Sequence, residues 1–225
     1  LVKKINLNSL YGAILNPGCR FFDMRIGQSV TLTGRCITKH MASKVNEIVA
    51  GKYDHRGESV VYGDTDSVYF SAYKTLEKEI KEGLIPWTKD DVLGLYDKIS
   101  DEVNTSFKAF MTKAFHTPST RGEVIAAGRE LVASKGLFIT KKRYALLYYD
   151  KEGKRTDIDG KEGKMKAMGL DLKRSDTPVF VQDFLSEILY MVLSGHEEKK
   201  VLDRISEFRA EFKAMPGWEK GSPKR

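Results

Sequence analysis

The sequence predicts a mixed α+β fold, an antiparallel sheet in the middle of the chain backed by helices at both ends. Three observations carry this reading. Between residues 23 and 49, Ile26, Val30, Ile37, Met41, Val45 and Ile48 recur at helical spacing and predict a long helix with one buried face. Residues 58–73 read as strand, tight turn, strand: Val60, Val61 and Tyr62 lead in, and Val68, Tyr69 and Phe70 lead out. Near the other end, Asp176-Thr177-Pro178 opens a helix, with Asp or Thr as cap and Pro in the first turn.

The remaining elements follow in order. Residues 1–10 read as the end of a helix, interrupted by Gly12 and closed by Asn16-Pro17-Gly18. Gly51 ends the long helix, and the turn of the first hairpin is Gly63-Asp64-Thr65-Asp66. A charged, mostly helical excursion covers 75–115, and 122–127 is a short strand. Strands at 137–149 and 164–170 flank the turn residues Lys151-Glu152-Gly153-Lys154. The helix opened at 176 runs to 193 with Val181, Phe184, Leu185, Ile188 and Val192 on one face; a second covers 197–213, and the tail from 217 to 225 is loose.

The 225 residues suffice for one large domain, or one domain and part of another, and 41% hydrophobic residues allow an ordinary core. No apolar run approaches the roughly 20 residues that span a bilayer. The chain opens on Leu1 without a signal-peptide pattern, an opening expected of a fragment, a processed chain or a split gene product. Cys19 and Cys36 form no CxxC pair, which gives zinc no support; both are expected to be buried free thiols in a reducing compartment.

The net charge of +7 is unevenly placed. Residues 135–174 hold twelve Lys/Arg against six Asp/Glu, whereas 75–103 hold eight acids against four bases. A local surplus of this kind favours a polyanion such as nucleic acid.

Two strings carry chemistry. In Tyr62-Gly63-Asp64-Thr65-Asp66-Ser67, two carboxylates one residue apart project close together from a hairpin tip. A divalent cation between them would relieve their repulsion. Gly63 lets the chain turn and lets a substrate approach the backbone. In the stretch from Lys4 to Gly12, Lys4, Asn8 and Tyr11 stand at i, i+4 and i+7 on one helical face. Lys offers a point charge for a phosphate, Asn a neutral hydrogen bond, and Tyr a flat ring with a polar tip.

Together these strings resemble family B DNA polymerases, those of T-even-type bacteriophages in particular. The family's K-x-x-x-N-S-x-Y-G stands here as Lys4, Asn8, Ser9, Tyr11 and Gly12, and its Y-G-D-T-D-S stands unchanged at 62–67. Lys141-Lys142-Arg143-Tyr144 is similar to the K-K-R-Y that the family lays against the primer–template minor groove. The resemblance implies a palm at 14–165, the end of a fingers helix at 1–13 and a partial helical thumb at 166–225. It implies a magnesium-dependent DNA-directed DNA polymerase using two ions. Asp66 would be the main metal ligand, with Asp64 beside it and Glu123 as a further acidic position. Lys4 and Asn8 would meet the triphosphate and Tyr11 the nascent base pair. Thr65, Lys141, Lys142, Arg143 and Tyr144 would contact DNA, with strand alternation placing Lys142 and Tyr144 on one face.

The family's other metal-binding aspartate, in D-x-x-S-L-Y-P, has no counterpart here, and neither do its exonuclease domain or first fingers helix. The chain is therefore expected to be inactive alone. Its implied partners are primer–template DNA, dNTP, an upstream polymerase half with the exonuclease and the first acidic motif, and a sliding clamp reached through a C-terminus that this sequence lacks. The implied location is the cytoplasm of an infected bacterium. A DxD glycosyltransferase or cyclase-like palm leaves 4–12 and 141–144 unexplained; a non-catalytic DNA-binding or assembly half of a split polymerase is the alternative.

Overall fold

The structure, a computed structural model, describes residues 2–158 and 160–221, and of Lys4 the backbone alone. The chain divides into two compact units, Leu1–Ala127 and Gly128–Arg225. The fold is mixed, with every strand pairing antiparallel.

The first unit holds α1 (Val2–Ile14), α2 (Met24–Ala50), a two-stranded ribbon of β1 (Val60–Asp64) and β2 (Ser67–Phe70), then α3 (Tyr73–Lys81), α4 (Lys89–Phe115) and α5 (Ser119–Gly122). Gly12 does not interrupt α1, which continues to Ile14; one helical glycine costs only about 1 kcal/mol. Asp23 caps α2, its Oδ1 accepting from the Arg25 N–H at 2.9 Å, and Gly51 closes it in the left-handed region at φ 73°. The apolar stripe of α2 is buried only in its C-terminal half. Val45 joins Ile99, Val103 and Phe107 of α4 in the core, with Ile37, Met41 and Ile48 packed against them, whereas Ile26 and Val30 are about half exposed. A capping box opens α4: Thr88 accepts from the Asp91 N–H while the Asp91 carboxylate accepts from the Thr88 N–H.

His40 is buried between α2 and α4. Its ring stacks on Phe110 at 3.9 Å, and its nitrogens lie 2.7 Å from the Tyr53 hydroxyl and 2.9 Å from Ser106 Oγ. Ser106 donates to the Val103 carbonyl, so Nε2 is the protonated nitrogen that donates to Ser106. Burial, and after it the Lys44 charge, holds the His40 pKa below its ordinary value.

The expected strand at 122–127 is absent. Gly122 ends α5, and the chain then runs irregularly to Ala127. Side chains of α4 take the place of a partner strand: Asn104 bonds both the N–H and the C=O of Ala127, at 2.7 and 2.9 Å, and Ser100 donates to the same carbonyl.

The second unit contains β3 (Leu131–Thr140), β4 (Arg143–Lys151), β5 (Lys154–Arg155) and β6 (Lys164–Met168), with β4 pairing all three others, then α6 (Val179–Ser194) and α7 (Glu198–Ala214). The single strand expected at 137–149 is two strands joined at Lys141-Lys142. Ala145 and Leu147 of β4, Ala167 of β6 and Leu193 of α6 form the core. Neither Asp176 nor Thr177 caps α6. Pro178 holds the cap position with no side-chain bond, and the Asp176 carboxylate is taken by Arg174. The buried face of α6 is Leu185, Leu189, Tyr190 and Leu193, while Val192 is half exposed. In the tail, Trp218 is exposed; 222–225 lie outside the described residues. Cys19 and Cys36 are free, but Cys36 is exposed and Cys19 half-buried, against the expected burial.

Candidate functional site

The hairpin of β1 and β2 is positioned from its base. Asn46, buried on α2, accepts the Ser59 N–H at 3.0 Å and donates to the Asp54 carbonyl at 2.7 Å, fixing where the ribbon begins. Gly57 makes room for this amide: a Cβ there would fall 2.5 Å from Asn46 Cγ. Val60 and Phe70, opposite each other, then pack against the core of α2 and α4.

Asp64 and Ser67 close the ladder, so the turn is Thr65-Asp66 alone. Gly63 is a strand residue opposite Val68, outside the left-handed region, and the turn does not depend on it. The left-handed position falls on Thr65, φ 50°, a conformation that β-branched residues avoid. Three hydroxyls converge on the tip. Ser67 Oγ donates to the Asp64 carbonyl at 3.0 Å, and Thr65 Oγ1 to Asp64 Oδ1 at 3.2 Å. From α2, Thr38 Oγ1 donates to the Thr65 carbonyl at 2.9 Å.

Asp64 is half-buried and Asp66 exposed. Among the described residues no hydrogen bond or ion pair engages the Asp66 carboxylate. Two adjacent carboxylates, one of them unengaged, suit a hard divalent cation that prefers oxygen. They do not form a complete cage: among the described residues no group of three His, Cys, Asp or Glu is arranged to hold a metal. Glu123 is exposed in the turn after α5 and pairs with Lys108, so the structure does not add it to Asp64 and Asp66 as a third ligand.

On α1, Asn8 is exposed and Tyr11 half-buried, with the Tyr11 hydroxyl 3.5 Å from the Gly27 carbonyl, the outer limit of a hydrogen bond. A Cβ at Gly27 would fall 2.0 Å from Leu15, so α2 meets the end of α1 at a point where only glycine fits without a shift. The Lys4 side chain lies outside the described residues.

Lys141 and Lys142 form the tip between β3 and β4, both exposed, with Lys142 at φ 62°. Alternation therefore does not run through them, and the expected pairing of Lys142 with Tyr144 on one strand face does not hold. Tyr144 is buried, its ring stacked on Phe138 at 5.6 Å, while Arg143 is exposed and donates to the Gly169 carbonyl at 3.2 Å. Gly169, at φ 63°, lies so close that a Cβ on it would fall 2.1 Å from the Lys142 carbonyl oxygen.

The sequence profile described as DNA polymerase family B matches residues 1–85 and 98–215. The chain belongs to that family. This family B chain is 34% identical over 206 residues to the DNA-directed DNA polymerase of Escherichia phage RB69, covering 87% of the chain and 22% of that protein. It is 31% identical over 227 aligned positions to the DNA-directed DNA polymerase of Enterobacteria phage T4, covering 96% and 24%. DNA polymerase II of Escherichia coli (strain K12) is 28% identical over 204 residues, covering 86% and 22%. The chain thus spans less than a quarter of the length of each of these relatives. The matched segments include the strings at 4–12, 62–67 and 141–144 and leave out 86–97, where the capping box opens α4.

Sequence reasoning missed Thr38 and Asn46. A lone threonine or asparagine inside a helix carries no local sign of a partner 27 or 13 residues away. No helix among the described residues is long and apolar enough to cross a membrane.

Proposed function

We propose that this chain is the palm-centred part of a replicative DNA-directed DNA polymerase, with a fingers remnant at 1–13, palm at 14–165 and partial thumb at 166–225. The observation that carries the reading is the hairpin tip, whose sequence is the family's Y-G-D-T-D-S and whose exposed Asp66 carboxylate has no partner among the described residues. The 165/166 boundary falls inside β6, so palm and thumb would share that strand.

Two magnesium ions, when bound, would activate the primer 3′-hydroxyl and neutralise the triphosphate and its leaving group. Asp66 would supply a directly coordinating carboxylate and Asp64 a second, its orientation set by the Thr65 hydroxyl. Lys4 and Asn8 would hold the triphosphate, and Tyr11 would support the nascent base pair. Lys141, Lys142 and Arg143 would meet DNA phosphates or the minor groove; Tyr144, buried, would act by fixing the strand that carries them. Thr65 would contact the primer end. Glu123 would need to leave Lys108 before it could approach a metal.

The partners would be primer–template DNA, dNTP, a polypeptide carrying the remaining acidic motif and the exonuclease, and a sliding clamp, in the cytoplasm of an infected bacterium. The test is primer extension with magnesium. The 225-residue chain alone is expected to incorporate nothing, and the chain mixed with that polypeptide to extend the primer. Extension by the chain alone, or none by the mixture, would overturn the proposal.

A further inference from the structure

Among the described residues, the acidic tip is held from outside the hairpin by one side chain, Thr38 of α2. Its single hydroxyl hydrogen is shared between the Gly34 carbonyl one turn back, at 3.0 Å, and the Thr65 carbonyl, at 2.9 Å. The intrahelical acceptor would have satisfied it alone. The second bond therefore acts on the hairpin, and it lands at a telling place. The Thr65 carbonyl belongs to the peptide plane that joins Thr65 to Asp66. Fixing that plane fixes ψ of Thr65 and φ of Asp66, the two dihedrals that set how Asp66 leaves the turn. Thr65 is itself in the left-handed region, which a β-branched residue leaves readily unless something holds it. The Asp66 side chain cannot provide that restraint, because among the described residues nothing engages its carboxylate. Ser67 and the Thr65 hydroxyl both bond to Asp64, so they fix Asp64 and leave Asp66 free to swing.

We propose that Thr38 is the positioning residue of Asp66. Its hydroxyl locks the Thr65–Asp66 peptide plane and so aims the Asp66 carboxylate at the divalent cation. This rests on the metal role of Asp66 proposed above. The α2 anchor is rigid for the task, because Thr38 sits next to Ile37 and one turn before Met41 and Ala42, where α2 enters the core.

The test uses the full 225-residue chain and manganese, whose paramagnetism broadens the amide resonances of residues near it. Manganese is titrated into wild type, Thr38→Val, Thr38→Ala, Thr38→Ser and Asp66→Ala, following the amides of 64–67, with thermal midpoints measured in parallel. Wild type is expected to broaden at the tip, and Asp66→Ala to lose the effect. Thr38→Val and Thr38→Ala are expected to raise the half-saturating manganese about fivefold, the size of one lost hydrogen bond. Their thermal midpoints are expected to fall by no more than about 3 °C. Thr38→Ser, which keeps the hydroxyl, is expected to return within about twofold of wild type. Wild-type manganese binding in both Thr38→Val and Thr38→Ala, with Asp66→Ala still defective, would overturn the Thr38 proposal and leave the metal reading standing. Failure of Thr38→Ser to recover would also overturn it, assigning the effect to packing. Unchanged binding in Asp66→Ala would remove the metal reading itself, and this proposal with it.

Discussion

Where β1 meets β2 the chain turns through Thr65-Asp66; where β3 meets β4 it turns through Lys141-Lys142. Both tips are two residues long, both are charged, and each places a non-glycine residue at positive φ, Thr65 at 50° and Lys142 at 62°. They differ in how they are held. The acidic tip is tied by a hydroxyl from a neighbouring helix, which sets a direction. The basic tip lies against Gly169, whose carbonyl accepts from Arg143 Nε at 3.2 Å and whose Cα leaves no room for a Cβ beside the Lys142 carbonyl. The acidic tip is thus tied at its turn by a side chain from a helix and the basic tip at its flank by a side chain of its own strand, a difference to be set beside the roles proposed for the two charges. A carboxylate ligating a small cation needs an aimed lone pair. A lysine meets a phosphate as a point charge on a flexible stem.

The strongest way to break this comparison is Asp66→Ala in the reconstituted polymerase. Losing a ligand that organises charge in the transition state removes several kcal/mol, so turnover is expected to fall about a thousandfold. Primer-extension rates above about a tenth of wild type would take the acidic tip out of the metal site. Next is Gly169→Ala, which puts a methyl group at positive φ against a backbone oxygen that cannot yield cheaply. The expected loss is more than about 2 kcal/mol in urea unfolding, with weaker duplex binding. A neutral result would mean that the basic tip is not braced there.

A smaller effect sharpens the basic side. Lys141→Ala and Lys142→Ala are each expected to weaken binding to any duplex and lower the log–log salt slope by about one unit. Tyr144→Phe, inside the sheet, is expected to leave the slope unchanged. If only one lysine moves the slope, the turn presents one side to DNA.

The smallest effect concerns pH and sets the helices under the acidic tip apart. Burial holds the His40 pKa below its ordinary value near 6.5, with Lys44 lowering it further and Glu47 opposing. The unfolded chain therefore binds a proton that the folded one releases. Stability from this group is complete above about pH 6.5 and is lost as pH falls below it. The thermal midpoint is expected to drop between pH 7.5 and 5, and to drop less in His40→Gln. Equal pH dependence in the two proteins would show that His40 is not the titrating group.

Much of the fold was legible because its signals are local. Asp23 and Gly51 bracket α2 as capping rules require, and the alternating aromatic and branched residues around 62–67 specify a hairpin. The candidate site was read as strings, at 4–12, 62–67 and 141–144, all inside the segments that the family B profile matches. The geometry inside those strings was not. Turn rules point to Gly63, yet the left-handed residue is Thr65, whose carbonyl is bonded by Thr38, distant in sequence. Alternation assigned Lys142 and Tyr144 to one face because nothing near 141 in the sequence marks a turn; the wedge is Gly169. Residues 122–127 have strand-like composition, but Ala127 at their end gives its backbone bonds to Asn104 and Ser100. In each case the deciding partner lies at least 20 residues away.

The half of α2 that stays out of the core has a practical side. Ile26, Val30 and Leu32, with Val2, Ile5, Leu7 and Leu10 of α1, are each about half exposed or more. Apolar surface left in water costs roughly 25 cal/mol per Å², and large exposed patches favour self-association. In purification this chain is therefore expected to behave as a sticky colloid, binding hydrophobic dyes while folded and growing in apparent size as sulfate is added, with mild detergent reversing both.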